Sequence, residues 1–294
     1  MKILVIGSTG LLGQALTCEI KKRGIDVIGM ARSGADIACD VADKRSLEKN
    51  IFCVEPDIII NCAAMVDLNK CEEKPEYAYM VNARPASIIS NIAINKSLYF
   101  VQISTDHYYT GDGNLKHKEG EAVRLLNEYA MTKYAAEKFA LICPNSLVVR
   151  TNIVGFRNKD RTPTFVEWVI HNIESNSPMT LFDDYFTSSI HVKQFSSSLL
   201  DIIEKNHTGV LNLASSEVTS KKAFITALAK KMGAELTNTT TGSLRDVGGK
   251  VVRAESNGLD VEVAENILGY KLPTLDDVIT CILDEYEGGV KTEI

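Results

Sequence analysis

Short, unbroken apolar runs alternate with helix-length segments through the first half of this 294-residue chain, and that rhythm leaves few folds open. The runs span residues 2–6, 26–30, 57–61, 99–104 and 146–150. They are rich in Ile and Val and lack polar alternation, as expected of parallel strands buried on both faces. Residues 11–23, 44–54, 75–95 and 127–143 lie between them, each long enough for a crossover helix. This pattern predicts an α/β fold with a doubly wound parallel (Rossmann) sheet. After Arg150 the rhythm changes. Residues 164–175, 192–205 and 220–232 read as helices, the last led by Ser220 as N-cap, and 209–214 reads as a strand. The polar, glycine-bearing stretch 237–258 is expected to be a long loop, 260–268 and 274–285 closing helices, and the tail after Glu287 frayed. The expected division is a dinucleotide-binding domain over 1–155 and a smaller, mainly substrate-binding α/β lobe over 156–294, with a part near 187–215 returning to the first domain.

Apolar residues make up 45% of the chain, ample for a full core, and the formal charge of -6 argues against a general nucleic-acid binder. The 7 cysteines are scattered, with no C-x-x-C and no zinc-ligand spacing, so reduced thiols in a cytoplasmic protein and no metal are expected. No apolar stretch approaches the ~20 residues that span a bilayer. The N-terminal run Ile3-Leu4-Val5-Ile6 is too short for a signal-peptide core.

Gly7-Ser8-Thr9-Gly10-Leu11-Leu12-Gly13 follows the first strand and opens the first helix. Glycines let the backbone approach phosphate oxygens, and a helix N-terminus offers free N–H groups at the positive end of a dipole. A match to G-x-x-G-x-x-G is weak alone, but here the strand–turn–helix context is right. The second strand is followed by Ala31-Arg32-Ser33, without the acid that holds the ribose hydroxyls of NAD. Arg32 and Ser33 can instead hold a 2′-phosphate, which favours NADP(H) and leaves NAD(H) open; Arg32 can equally be a solvated loop residue. Asp40-Val41 stands where an acid can accept from an adenine amino group. The small residues of Asn61-Cys62-Ala63-Ala64 suit passage of a cofactor over the strand ends, or close helix packing.

Ser104, Thr105 and Asp106 follow the strand 99–103, at the end where an open α/β sheet binds ligands. A hydroxyl there can donate to a carbonyl oxygen and stabilise the alkoxide forming on it. Tyr129 and Lys133 are four apart, so a helix puts them on one face. A free phenol ionises near ~10. A neighbouring ammonium is expected to lower that value and make Tyr129 a general acid or base. His107 is expected to face the loop or to stand behind the reacting residues, and His191 is open between substrate contact and structure. Asp183-Asp184 reads as a solvated turn.

These motifs together resemble the extended short-chain dehydrogenase/reductases, and within them the dTDP-4-dehydrorhamnose reductases and related nucleotide-sugar 4-ketoreductases. The likeness runs over most of the chain. It rests on Pro56-Asp57 through Asn61, Ala63-Ala64, Glu72, Ala78, Asn82, Ser104-Thr105-Asp106 and Gly111. Leu126-Asn127, Tyr129, Thr132, Lys133, Glu137, Leu259-Asp260 and Leu272-Pro273 continue it. The resemblance implies Thr105, Tyr129 and Lys133 for catalysis. It implies Gly7, Gly10, Leu11, Leu12, Gly13, Asp40, Val41, Ala63 and Ala64 around the cofactor. Departures gather at the substrate end: Ala130, Val66, Leu68-Asn69, His107-Tyr108-Tyr109 and Ile153 replace the family's usual residues.

The expected activity is NADP(H)-dependent reduction of a nucleotide-activated 4-keto-6-deoxy sugar, with Thr105 and Asp106 at the substrate. Arg150, Arg157 and Arg253 are candidate phosphate contacts. The alternatives are an epimerase on the same fold and a non-catalytic dinucleotide-binding subunit. A dehydratase would show Glu after Thr105-Asp106, where this chain has His107. A nucleotide sugar is the expected partner; nucleic acid and membrane are not, and a homodimer is left open.

Overall fold

The computed structural model describes residues 1–157, 163–249 and 251–290. Strands β1 (Lys2–Ile6), β2 (Asp26–Ala31), β3 (Ile37–Ala38), β4 (Ile58–Asn61), β5 (Tyr99–Ile103) and β6 (Ser146–Arg150) join Gly209–Asn212 in one seven-stranded parallel sheet. From one edge the order is Gly209–Asn212, β6, β5, β4, β1, β2, β3. The chain builds outward from β1 through β2 and β3, then crosses back to place β4 on the other side of β1. That reversal opens a crevice beyond the carboxyl ends of β1 and β4, the usual ligand position in such sheets.

The alternation of a strand sends Ile3 and Val5 to one face of β1 and Leu4 and Ile6 to the other. On the first face α1 (Leu11–Lys22) contributes Leu12, Leu16 and Ile20, packed with Phe195 and Leu199 of α8 (Val192–Glu204). On the second, α2 (Lys44–Val54) contributes Leu47 and Ile51, and α5 (Arg84–Lys96) contributes Ile89 and Ile92. Ala136 and Ala140 of α6 (Glu128–Ala140) complete that face. A third core joins α7 (Phe165–Glu174), α9 (Lys221–Lys231) and α11 (Leu275–Val290), with Val169, Phe224, Leu228, Val278 and Ile282 fully shielded from solvent or nearly so. The remaining helices are α3 (Leu68–Glu73), α4 (Pro75–Asn82) and α10 (Glu262–Leu268).

The expected helix over 75–95 is in fact two, α4 and α5, broken at Ala83. Pro85 explains the break: proline has no N–H to continue a helix but suits the first turn of a new one. The stretch 237–258 is not only loop. Thr239–Gly242 pairs in parallel with Met179–Phe182, and Ser256–Asn257 pairs with Phe186–Thr187. Polar Thr residues hid the first of these strands from an apolar pattern, although their β-branched side chains suit a strand. The end of the chain also differs from expectation, since α11 continues past Glu287 to Val290; residues 291–294 lie outside the described residues.

Candidate active site

The turn after β1 can only be built from glycine at two places. Gly7 sits at φ +82°, and a Cβ there would stand 2.8 Å from the backbone nitrogen of Ala63. A Cβ on Gly13 would lie 2.2 Å from the Gly7 carbonyl oxygen and 2.5 Å from the Cα of Ser8. Gly10 is the N-cap of α1, with no side chain capping the helix and no acid in its first turn. The first N–H groups of α1 are therefore open toward the crevice, a cradle suited to a pyrophosphate. Ser8 Oγ, buried and without a partner among the described residues, lies in the same turn. Gly13→Ala forces backbone against backbone. It is expected to cost about 1–3 kcal/mol of stability, as overpacking does, and to weaken dinucleotide binding. Chemical denaturation and NADPH fluorescence titration measure the two losses.

Arg32 and Ser33 are exposed in the turn after β2. The next residue, Gly34, would bring a Cβ to 3.9 Å from Thr9 Cγ2, so this turn lies beside the glycine loop. The sequence shows no acid directly after β2, yet Asp36 folds back, and its Oδ2 accepts from the Gly29 N–H at 2.7 Å. Its charge is engaged in holding the strand edge. Asp40 is exposed and accepts from the Ala42 N–H at 2.9 Å, next to buried Val41. Ala63 and Ala64 follow β4, with the Ala63 N–H held at 3.2 Å by Asn61 Oδ1.

Asn127 starts α6 by accepting from the Ala130 N–H at 2.9 Å, while its Nδ2 donates to the Val252 carbonyl at 2.8 Å. One cap thus ties the helix bearing Tyr129 to the loop before Arg253. Burial pushes the Tyr129 phenol up to about 12, the Thr105 hydroxyl beside it pulls the other way, and Asp106 adds to the rise. Lys133 does not lower the Tyr129 pKa as the sequence led us to expect. Its Nζ donates to the Ile103 carbonyl at 2.6 Å, and burial brings the ammonium down to about 8 against the attraction of Glu137 and Cys62. Desolvation of both side chains outweighs their helical spacing. The ring of His107 meets Tyr129 edge-on, with centroids 6.2 Å apart, and burial lowers its pKa to about 4, so it is neutral.

Thr105 Oγ1 accepts from the His107 N–H at 3.2 Å and reaches Asp106 Oδ1 at 3.4 Å. Burial raises Asp106 to about 7, while a hydrogen bond of 2.8 Å from Asn152 Nδ2 and the charge of Lys221 oppose the rise. Asn152 is in turn held by Ser189 Oγ at 2.8 Å. Asn152, Tyr185 and Lys221 were not singled out in the sequence. They converge on Asp106 from separate segments, and no spacing rule links them.

Arg150 is a correction. Its Nε and Nη2 donate to Glu137 at 3.0 and 2.8 Å, and Nη1 donates to Tyr109 Oη at 3.1 Å and the Glu119 carbonyl at 3.2 Å. Only 3% exposed, it is taken up by a buried carboxylate and cannot also meet a substrate phosphate. Glu137 also accepts from Ser104 Oγ at 2.6 Å. Arg253, by contrast, lines a cavity of ≈ 540 Å³ with Asn69, Thr110, Arg245, Val252 and Glu255. The Arg157 backbone N–H donates to Glu167 Oε1 at 2.7 Å. His191 is fully buried at the start of α8, where its Nδ1 accepts from the Lys193 N–H at 3.3 Å and its Nε2 stands 3.1 Å from Glu285. Its role is structural. Asp184 accepts from the Leu244 N–H at 2.8 Å rather than standing free in solvent.

With this geometry in place, the family described as RmlD substrate binding domain matches residues 1–287. The chain belongs to that family. A Haloferax volcanii protein named "Probable low-salt glycan biosynthesis reductase Agl14" is 23% identical over 291 residues, 96% of this chain and 97% of that protein. The dTDP-4-dehydrorhamnose reductase of Escherichia coli is 31% identical over 155 residues, 52% of each chain. The crystal structure of the Bacillus anthracis dTDP-4-dehydrorhamnose reductase in complex with NADP superposes with a TM-score of 0.87 at 20% identity. That superposition covers 97% of this chain and 99% of that one. The Rossmann-type sheet read from the sequence is thus the fold of this family. No helix among the described residues is long and apolar enough to cross a membrane.

Proposed function

We propose that this chain is an NADP(H)-dependent reductase of the keto group of a nucleotide sugar, with a 4-keto-6-deoxy sugar as the preferred class. The observation that carries this reading is the half-buried Tyr129 phenol beside Thr105, at the crevice formed by the strand ends and the uncapped start of α1. Family membership and relatives named as reductases support it. The proposed division is a dinucleotide lobe over 1–155 and a substrate lobe mainly over 156–294.

A bound nicotinamide would supply the hydride. The chain's residues do the rest. Thr105 donates a hydrogen bond to the keto oxygen as charge develops there. Tyr129 gives that oxygen its proton. A phenol held near 12 is fully protonated at neutral pH, the state needed in a proton donor for reduction. Lys133, on the same helix face and anchored on the Ile103 carbonyl, would hold a ribose hydroxyl of the cofactor. Gly7, Gly10, Leu11, Leu12 and Gly13 cradle the pyrophosphate, while Val41, Ala63 and Ala64 line its path. Asp40 is assigned to the adenine, and Asp106 to a sugar hydroxyl.

Loss of NADPH absorbance with a panel of 4-keto nucleotide sugars tests the activity. Sugar interconversion without net NADPH consumption would replace the reductase with an epimerase. Tight dinucleotide binding without turnover would leave only the binding subunit. The exposed Arg32 beside the glycine loop supports NADP(H) over NAD(H). Arg32→Ala is expected to raise the KM for NADPH about tenfold, the loss of one charge-assisted hydrogen bond, with little change for NADH. Equal KM values for NADPH in both proteins would remove Arg32 from cofactor selection.

A further inference from the structure

The C-terminal wall of the crevice holds a cation that the fold does not neutralise. Lys221 begins α9, and its backbone N–H donates to the Tyr185 carbonyl at 2.9 Å. Its Nζ stands 4.3 Å from the ring centroid of Phe165 and 5.5 Å from that of Tyr185. Among the described residues it has no hydrogen-bond or ion-pair partner, whereas its neighbour Lys222 reaches Thr241 Oγ1 at 2.9 Å. Aromatic faces attract an ammonium but leave its N–H donors unused. The acid whose charge reaches it is Asp106, and that carboxylate already engages Asn152 and Thr105. Burial pulls Lys221 down to about 8 against the attraction of Asp106. Tyr185, whose ring lies beside Lys221, is itself within reach of the charges of Asp106 and Arg253, so the ammonium stands at the end of the crevice that holds Asp106.

We propose that Lys221 is an anion-binding residue of this crevice and that its ligand is the sugar-side phosphate of the substrate. The inference rests on the nucleotide-sugar reading above and adds to it a residue outside every motif read from the sequence. The wall presents two cations, Lys221 and Arg253, where a diphosphate would bring matching negative charge. Lysine serves phosphate as a point charge and needs no forked geometry. A carboxylate on the sugar would offer the same chemistry, and the experiment separates the two sources.

Lys221→Met and Lys221→Arg are titrated, with NADPH present, against dTDP, UDP, thymidine and UDP-glucuronate. Lys221→Met is expected to weaken about tenfold or more whichever nucleoside diphosphate the unaltered protein binds, the loss of one charge-assisted hydrogen bond. Binding of thymidine and NADPH stays unchanged, Lys221→Arg retains most of the diphosphate affinity, and with a turned-over sugar KM rises much more than kcat falls. Diphosphate binding by Lys221→Met equal to that of the unaltered protein overturns the assignment. A loss confined to UDP-glucuronate overturns it in favour of a sugar carboxylate. If the unaltered protein binds no nucleoside diphosphate, the nucleotide-sugar reading falls and this inference falls with it.

Discussion

Replacing Tyr129 with Phe is expected to reduce turnover by about a hundredfold or more while leaving the fold and the bound dinucleotide intact, since general acid catalysis contributes about that much. The substitution removes one oxygen. The ring keeps its edge contact with His107 and its place on α6, whose start is fixed by the Asn127 cap. What disappears is the proton that must reach the keto oxygen. Desolvation holds that phenol up to about 12, so it is protonated and ready to donate at neutral pH, and the Phe ring has no proton to give. Initial rates of NADPH oxidation report the chemistry, and fluorescence titration of NADPH reports the binding. Turnover by the Phe variant at the rate of the unaltered protein would exclude Tyr129 as the proton donor.

Arg150→Met is expected to cost about 3–5 kcal/mol of stability, the usual loss when one partner of a buried ion pair is removed. Glu137 is 0% exposed, and Arg150 provides two of the hydrogen bonds to its carboxylate, at 3.0 and 2.8 Å. Without the guanidinium, Ser104 Oγ remains as its side-chain donor, and the carboxylate stays buried without its ion-pair partner. The double variant Glu137→Met with Arg150→Met should recover much of the loss, because both charges then go together. Urea denaturation midpoints of the single and double variants decide it, and an unchanged midpoint for Arg150→Met would refute the account. Glu137 lies one helical turn beyond Lys133 and also holds Ser104, next to Thr105. The single variant should therefore lose activity even below its unfolding transition.

Much of the seven-stranded sheet and its helices was legible in the sequence. The runs at 2–6 and 146–150 are strands with the same limits, and 44–54 is a helix with the same limits. Buried parallel strands must be continuously apolar, and this is a one-dimensional signal. The split at Pro85 was also present in the sequence, as a proline inside an otherwise helical run, but local propensity alone does not say whether such a residue kinks a helix or restarts one. Thr239–Gly242 was not legible. Its partner Met179–Phe182 is some sixty residues away, and neither segment alternates clearly enough to announce a pair.

The electrostatics of the site divide in the same way. Tyr129 and Lys133 could be placed on one face from their spacing, since a helix repeats every 3.6 residues. The sign of their effect on each other could not, because burial is a property of the whole packed molecule. Likewise Arg150 looked available for phosphate until Glu137 was found opposite it.

By itself the sequence determined the order of strands and helices, the glycine cradle and the Tyr129–Lys133 face, all of which depend on neighbours along the chain. Only the tertiary structure decided which charges are paired and which are open. Arg150 is consumed by Glu137, while Lys221 stands unpaired near Asp106. The reason is physical: covalent geometry and local periodicity act within a few residues, whereas desolvation and ion pairing depend on groups that the fold brings together from distant parts of the chain.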